Sequence, residues 1–436
     1  MTPSPHSDLR QTLEVAQRNI SAAVVAAALA VLSCGPASPP SAPGSTWAMY
    51  RGDLVRDGHP AAATLDVAGA ARLELSWRAH LDGAIDGTPA VAHGMVIAGT
   101  TGGTLTAVDA ATGQTIWAKH GLGAIAGSPS ITGNLVLATT LTGHAYAFDL
   151  AHGDLAWDWQ ASAPASLWAS PVAYMDEVIV GVASPYGDTP FVAGRIVALD
   201  LATGRQRWSF CIRAGCEPGG GVWSTLAIDD RGTAFVGVGN PLDGVIAFDA
   251  STGDRKWLSS LYADQNRDLD VGAAPVIFSL HGVEAVAQAT VEGMFTVLDA
   301  ATGAVIWSRE LVAGSAVHGL IASPAYDGTN IYAGSASPPT ALFALQPEDG
   351  STAWRHDVDD PIYSAPAAGK GVVVFGTGAV FGDLDTGSVV ALSTRDGHRL
   401  WSYDTHSSVR SGPALAGDVV VVGDYAGDLM AFRPKS

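Results

Sequence analysis

Leu298-Asp299-Ala300-Ala301-Thr302-Gly303-Ala304-Val305-Ile306-Trp307 reads as one reversal of an extended chain. The apolar residues before Asp299 and the β-branched pair before Trp307 suit strands, and Asp-x-x-Thr-Gly between them suits a short polar loop. Gly takes a left-handed backbone without a Cβ penalty, and Asp can hold the turn by accepting from nearby backbone N–H groups. The stretch predicts a β-hairpin that ends on an indole.

The same pattern recurs along the chain. It ends at Trp117, Trp157, Trp208, Trp257 and Trp307, with looser copies ending at Trp354 and Trp401 where Gln346 and Ser393 replace the Asp. Arg72 to Trp77 forms a truncated eighth copy. From Trp77 to Trp401 the steps are 40, 40, 51, 49, 50, 47 and 47 residues, which suits a solenoid or a propeller. Short runs such as Met95 to Ile97, Val178 to Val180 and Val419 to Val422 are bounded by Gly, with no helical periodicity. The fold class is therefore all-β: an eight-bladed β-propeller with four-stranded blades, seven blades being the rival count. Ser411 to Phe432 supplies three strands and the Trp77 segment a fourth, so joining the two ends closes the ring and removes two sheet edges. The eight repeat-end indoles (Trp77, Trp117, Trp157, Trp208, Trp257, Trp307, Trp354 and Trp401) are read as structural wedges between blades.

Composition excludes other classes. The chain has 436 residues, 51 of them Gly, and a net charge of 23 − 42 = −19, which repels phosphate backbones and argues against nucleic acid as a partner. Residues 1–34 read as a signal peptide, with an apolar core from Ile20 to Leu32 too short to span a bilayer. Val31-Leu32-Ser33-Cys34 resembles a bacterial lipobox, which makes Cys34 the expected lipidation site. A plain cleaved signal is the alternative, since Asp8 and Glu14 cancel Arg10 and Arg18. Residues 35–46, rich in Pro and Ser, read as a flexible tether, and 47–436 as the propeller. The expectation is an exported, periplasmic or cell-surface protein that meets the membrane only through its anchor. Cys211 and Cys216 flank a turn containing Gly215 and are expected to pair in that oxidising setting. A metal reading of the two thiols is weaker.

The repeated Ala-x-Asp-x-x-Thr-Gly-x-x-x-Trp unit resembles the tryptophan-docking motif of quinoprotein propellers. That superfamily holds alcohol dehydrogenases that use pyrroloquinoline quinone (PQQ), and non-enzymatic members such as the propeller lipoprotein of the outer-membrane barrel-assembly machine. Gly219 to Ser224 and Phe235 to Pro241 look like the segment around the cofactor. The resemblance implies Trp223 as the floor for a flat quinone and Asn240 as an oxygen ligand to Ca²⁺. Trp47 to Asp53 likewise resembles the N-terminal segment of polyvinyl-alcohol-dehydrogenase-like members. The departures are several. Only Asp188 stands where the family's Ca²⁺ Glu is expected. The insertion that carries the catalytic Asp is nearly absent, which leaves Asp243 as a weak substitute. Glu292, rather than a cation, precedes Gly293. No Cys-x-x-Cys-His exists, so covalent haem is excluded.

The acidic clusters Asp264-Asp268-Asp270 and Asp357-Asp359-Asp360 read as solvated loops. On this reading the chain is a binding or scaffold module for a protein or peptide partner at the cell envelope. The alternative is a PQQ- and Ca²⁺-dependent dehydrogenase of an alcohol or polyol. A third option is a carbohydrate- or polymer-binding module using Trp159, Trp168 and Tyr186.

Overall fold

A computed structural model describes residues 46–162, 164–263, 269–379 and 385–435. Cys34, the leader, nearly all of the tether, Asp264 and Asp268 lie outside the described residues. The single α-helix among them is one turn, Val67–Ala70. The rest is eight four-stranded antiparallel sheets. Seven are built from consecutive strands, beginning at Ala90–Ala92, Ser130–Thr132, Val172–Tyr174, Ala227–Ile228, Val276–Leu280, Ala325–Tyr326 and Ala367–Ala368. The eighth joins Ala414–Ala416, Val419–Gly423 and Asp428–Pro434 to the N-terminal strand Leu73–His80. These are blades 1 to 8 in that order. The first strand of each is innermost, and Ala90–Ala92 touches the innermost strands of both blade 2 and blade 8, so the ring closes.

The repeat works through a contact between neighbours. In the hairpin of blade 1, Asp109 Oδ1 accepts from the backbone N–H of Ala111 and Thr112 and from the Thr112 hydroxyl, at 3.1, 2.9 and 2.8 Å. Gly113 then takes φ +73°, and a Cβ there would meet Trp77 of blade 8 at 2.7 Å. The Gly of one repeat thus lies on the indole of the preceding one. Gly153 on Trp117, Gly204 on Trp157 and Gly303 on Trp257 repeat the contact. So do Gly350 on Trp307 and Gly397 on Trp354, in the copies that lack the Asp.

The indole N–H donates to a carbonyl of the next blade, as in Trp117 to Leu150 O at 2.9 Å and Trp157 to Leu201 O at 2.8 Å. Trp208 departs, donating to Glu177 of its own blade at 3.2 Å. Trp401 faces the blade that joins the two chain ends, and packs edge-on against Phe432 at 5.1 Å. A bulge at the residue before each of these Trp breaks the strand alternation, so Thr115 and Ile116 are both exposed while Trp117 is buried. Buried at Trp77, Trp117 and Trp157 and half-buried at the other five positions, each indole wedges between neighbouring blades.

Residues 47–64 cross the far end of the innermost strands as a plug. Trp47 pairs with Val91. Ile131, Ile228, Ile277, Tyr326 and Ala368 donate their N–H groups to carbonyls of Ala48, Leu54, Val55, Asp57 and Gly58 at 2.6 to 2.9 Å, and Thr64 donates to Gly417 O. Seven of the eight blades are tied to this one segment. Two fully buried guanidiniums fasten it. Arg51 donates to the carbonyls of Pro324 and Pro366, and Arg56 to those of Leu226, Tyr50 and Asp53. Burial lowers the pKa of both, opposed in part by Tyr50 and Asp57 at Arg51 and by Asp53 at Arg56. Cys211 and Cys216 are paired, their Cα atoms 5.2 Å apart, within the span a disulfide needs.

Candidate functional site

Each innermost strand is preceded by a short approach segment, and eight such segments converge on the axis. Seven carry a Pro just before or at the start of the strand, preceded in turn by Thr88, Ser128, Ser170, Ala274, Ser323, Ala365 and Gly412; Thr225 takes the equivalent place in blade 4. These eight residues form one ring around an open cavity of about 170 Å³. Two residues earlier stands a second ring: Asp86, Ala126, Trp168, Trp223, Gly272, Ile321, Tyr363 and Arg410. The plug pairs with residues three positions after the first ring, so the second ring lies farther from it. Tyr50 reaches up from the plug, and its hydroxyl donates to Ser323 Oγ at 2.8 Å.

The hydroxyl ring is partly spent on holding the blades together. Ser170 Oγ accepts from Ser128 N, Thr225 Oγ1 from Ser170 N, and Ser323 Oγ from Ala274 N, at 2.8 to 3.0 Å. A hydroxyl that accepts in this way still has its own proton to donate.

The second ring carries the chemistry. Asp86 and Arg410 form an ion pair of 2.9 Å, and the Arg410 guanidinium lies 5.0 Å from the Tyr425 ring centre. Burial pushes the Asp86 carboxyl above the usual carboxylate range, with the Arg410 charge opposing that shift. Asp86 is the one carboxylate among the residues lining the cavity. Tyr363 donates to Val317 O at 2.8 Å, and its burial pushes the phenol up to about 12. Trp168 donates to Ser184 O at 2.9 Å and meets the exposed Tyr186 ring at 6.5 Å.

Of the residues singled out from sequence, Trp223 lines the cavity and Asn240 lies behind it. Trp223 Nε1 donates to Asp270 Oδ2, and the Asn240 backbone N–H donates to Asp270 Oδ1, both at 2.8 Å. Asp243 is fully buried rather than a loop carboxylate, because the short turn tucks it under Leu261, whose N–H bonds its carbonyl at 2.9 Å. Asp270 is likewise no solvated residue: it is the shared acceptor of Trp223 and Asn240. Together with Asp243 and Glu292 it surrounds Tyr262, whose phenol burial and these three carboxylates push up.

Asp188 sits exposed in the loop after Val182, at φ +51°, and does not line the cavity. Asn240 and Asp188 are therefore not brought together in the cavity, and among the described residues no three His, Cys, Asp or Glu converge to hold a metal. Trp159 lies on an outermost strand, away from the cavity, and Asp357 pairs with Arg355 at 2.7 Å. The funnel is better furnished than the sequence suggested. Its guanidinium comes from blade 8, not from the place held by Glu292. The missed residues Asp86, Tyr363 and Arg410 share a signal: each stands three positions before the Pro that opens a blade.

A family profile described as outer membrane protein assembly factor BamB matches residues 69–271, 192–337 and 291–436. A polyvinylalcohol dehydrogenase of Sphingopyxis sp. (strain 113P3) is 31% identical over 37% of this chain and 33% of its own length, so the match spans about a third of that relative. Quinohemoprotein alcohol dehydrogenase from Comamonas testosteroni superposes with a TM-score of 0.78 at 17% identity, over 90% of this chain and 81% of that one. BamB from Moraxella catarrhalis superposes at 0.63 with 17% identity, over 83% and 97%. At these identities the superpositions establish the fold alone.

Proposed function

Because the chain belongs to the PQQ-type propeller family described as outer membrane protein assembly factor BamB, we propose, from that membership and the funnel, that it is a quinoprotein-type oxidoreductase of an alcohol or polyol. The observation that carries this reading is a cavity lined by Trp168 and Trp223 ahead of blades 3 and 4 and, on the facing side of the ring, by the Asp86–Arg410 pair ahead of blades 1 and 8. The dehydrogenase relatives support it over the scaffold reading. A module that only displays loops to a protein or peptide partner has no need of a half-buried ion pair and two indoles lining its central cavity.

The wall suits PQQ. Trp223 and Trp168 would supply apolar faces for a flat ring system, Arg410 a cation for a carboxylate, and the Ser170 and Thr225 hydroxyls donors for ring oxygens. When bound, PQQ supplies the two-electron acceptor that oxidation of an alcohol requires. Asp86 would take the substrate hydroxyl proton, since a buried carboxyl with a raised pKa is a better base than an exposed one. A Ca²⁺ site is a different matter. Asn240 and Asp188 do not meet in the cavity, so these two residues do not fit a shared Ca²⁺ site. Export through the leader, a lipid on Cys34 and oxidation of Cys211 with Cys216 complete the proposal.

Titration of the purified protein with PQQ, with and without added Ca²⁺, tests the reading through quenching of Trp emission. We expect quenching that saturates and is reduced in Trp223→Phe, and dye-linked oxidation of a simple alcohol or polyol. Absence of any saturable quenching under both conditions would return the chain to the scaffold class.

A further inference from the structure

Trp223 is held at two points, and both belong to one short segment. Its indole N–H donates to Asp270 Oδ2 at 2.8 Å. Its six-membered ring lies so close to Gly272 that a Cβ there would overlap Cη2, Cζ2 and Cζ3. Asp270 is fixed in turn, because its Oδ1 accepts from Asn240 N at 2.8 Å. Gly239 leaves the space for that carboxylate, since a Cβ on it would overlap Asp270 as well. An indole clamped at its nitrogen and at its far ring has both side-chain torsions set.

We propose that Asp270 and Gly272 are positioning residues that fix the plane of the Trp223 indole at the cavity wall before any ligand arrives. The proposal rests on the reading of Trp223 as a ligand platform for its consequence, but not for its geometry. A side chain already ordered in the free protein does not have to be ordered on binding, and that saving appears as affinity. The order of Asp270 and Gly272 in the chain explains how one segment does both jobs. The two residues are separated only by the buried Val271, so one presses on the ring while the other grips its nitrogen. Replacing Asp270 by Asn keeps an acceptor oxygen for the indole, whereas replacing it by Ala removes it. Replacing Gly272 by Ala leaves the carboxylate intact and displaces the ring.

The test uses the full chain and two readouts. In ¹⁵N-Trp-labelled protein the Trp223 indole N–H resonance is identified by its loss in Trp223→Phe. Asp270→Ala is expected to shift that resonance and speed its solvent exchange by at least tenfold. Asp270→Asn should restore protection in large part. Gly272→Ala should shift the same resonance with Asp270 untouched, which covers the case in which Asp270→Ala does not fold. PQQ titration of the same variants is expected to show affinity falling several-fold to about tenfold for Asp270→Ala and Gly272→Ala, and less for Asp270→Asn. An unmoved Trp223 resonance in both Asp270→Ala and Gly272→Ala overturns the proposal, whatever PQQ does. If the resonance moves but wild-type protein binds no PQQ, the positioning stands and the quinone reading fails.

Discussion

Asp86 and Arg410 meet at 2.9 Å across the seam between blade 1 and the blade that joins the two ends of the chain. The pair therefore exists only when the ring is shut. It also leaves the cavity lining with a carboxylate and a guanidinium of opposite charge, so under the proposed function an anionic ligand would compete with Asp86 for Arg410, and a bound carboxylate would free Asp86 to act as a base.

Asp86→Asn is expected to lower kcat/KM for alcohol oxidation by roughly 10²- to 10⁴-fold, the usual worth of a positioned base, with a smaller change in PQQ affinity. The base works ionised, so activity should rise with pH through the Asp86 pKa. Burial places that acid limb above the ordinary carboxylate range, and Arg410→Ala removes the opposing charge and should move it higher still. A pH–rate profile of both variants checks this; an acid limb that ignores Arg410 rules out Asp86 as the base.

Gly303→Ala should destabilise the fold by roughly 1 to 3 kcal/mol. The residue sits at φ +72° and its new Cβ would meet Trp257 at 2.7 Å. Gly282→Ala is the control, at φ +82° with nothing within 4 Å, and should cost only the backbone part, about 1 kcal/mol. Denaturant midpoints of the two variants separate the indole contact from the strain. Equal losses would mean that the Gly-on-Trp contact contributes nothing.

Arg56→Met should loosen the plug. It leaves the buried carbonyls of Leu226, Tyr50 and Asp53 without their donor, at roughly 1 to 3 kcal/mol for each one left unsatisfied. Amide exchange should accelerate most at Ile228 and Ile277, which bond the plug at Leu54 and Val55. Uniform acceleration over all eight blades would instead indicate global destabilisation.

Asp57 gives the plug a pH dependence. Burial and the neighbouring Asp53 push its carboxyl up to about 7. The folded pKa lies above the unfolded value, so the folded state binds more protons between about pH 4 and 7, and stability should fall as pH rises through that window. Asp57→Asn keeps an oxygen for the His59 N–H, bonded at 2.7 Å, and should flatten the slope and raise the melting temperature at pH 8. Thermal melts at pH 5 and pH 8 decide it; a wild-type protein more stable at pH 8 than at pH 5 contradicts the assignment.

The blade count and the ring closure were legible because the docking contact is local and periodic. Asp109, Gly113 and Trp117 lie within nine residues of one another, and each copy repeats the same physics. Trp223 was legible through its Gly-rich flank. Asp86 and Arg410 were not, because the one signal they carry, a place three residues before a Pro, gains meaning only when the ring brings the approach segments of blades 1 and 8 side by side. Asp270 was misread for a related reason. It stands among several Asp residues that look like a solvated loop, and only the turn at Asn240 and the indole of Trp223 bury it. Asp188 failed the other way: its loop extends outward at Tyr186 and leaves the carboxylate in solvent.

Residues 47–64 cap the inner strands, and Tyr50 stands on the floor they make. The central cavity is thus crossed by the plug at one end, and a ligand arriving from the side of the second ring leaves by the way it came. A tightly held redox group would have to be loaded before substrate and could not be exchanged past it. Trimming the chain to begin after Thr64 would remove that crossing and give the cavity a second doorway on the opposite side.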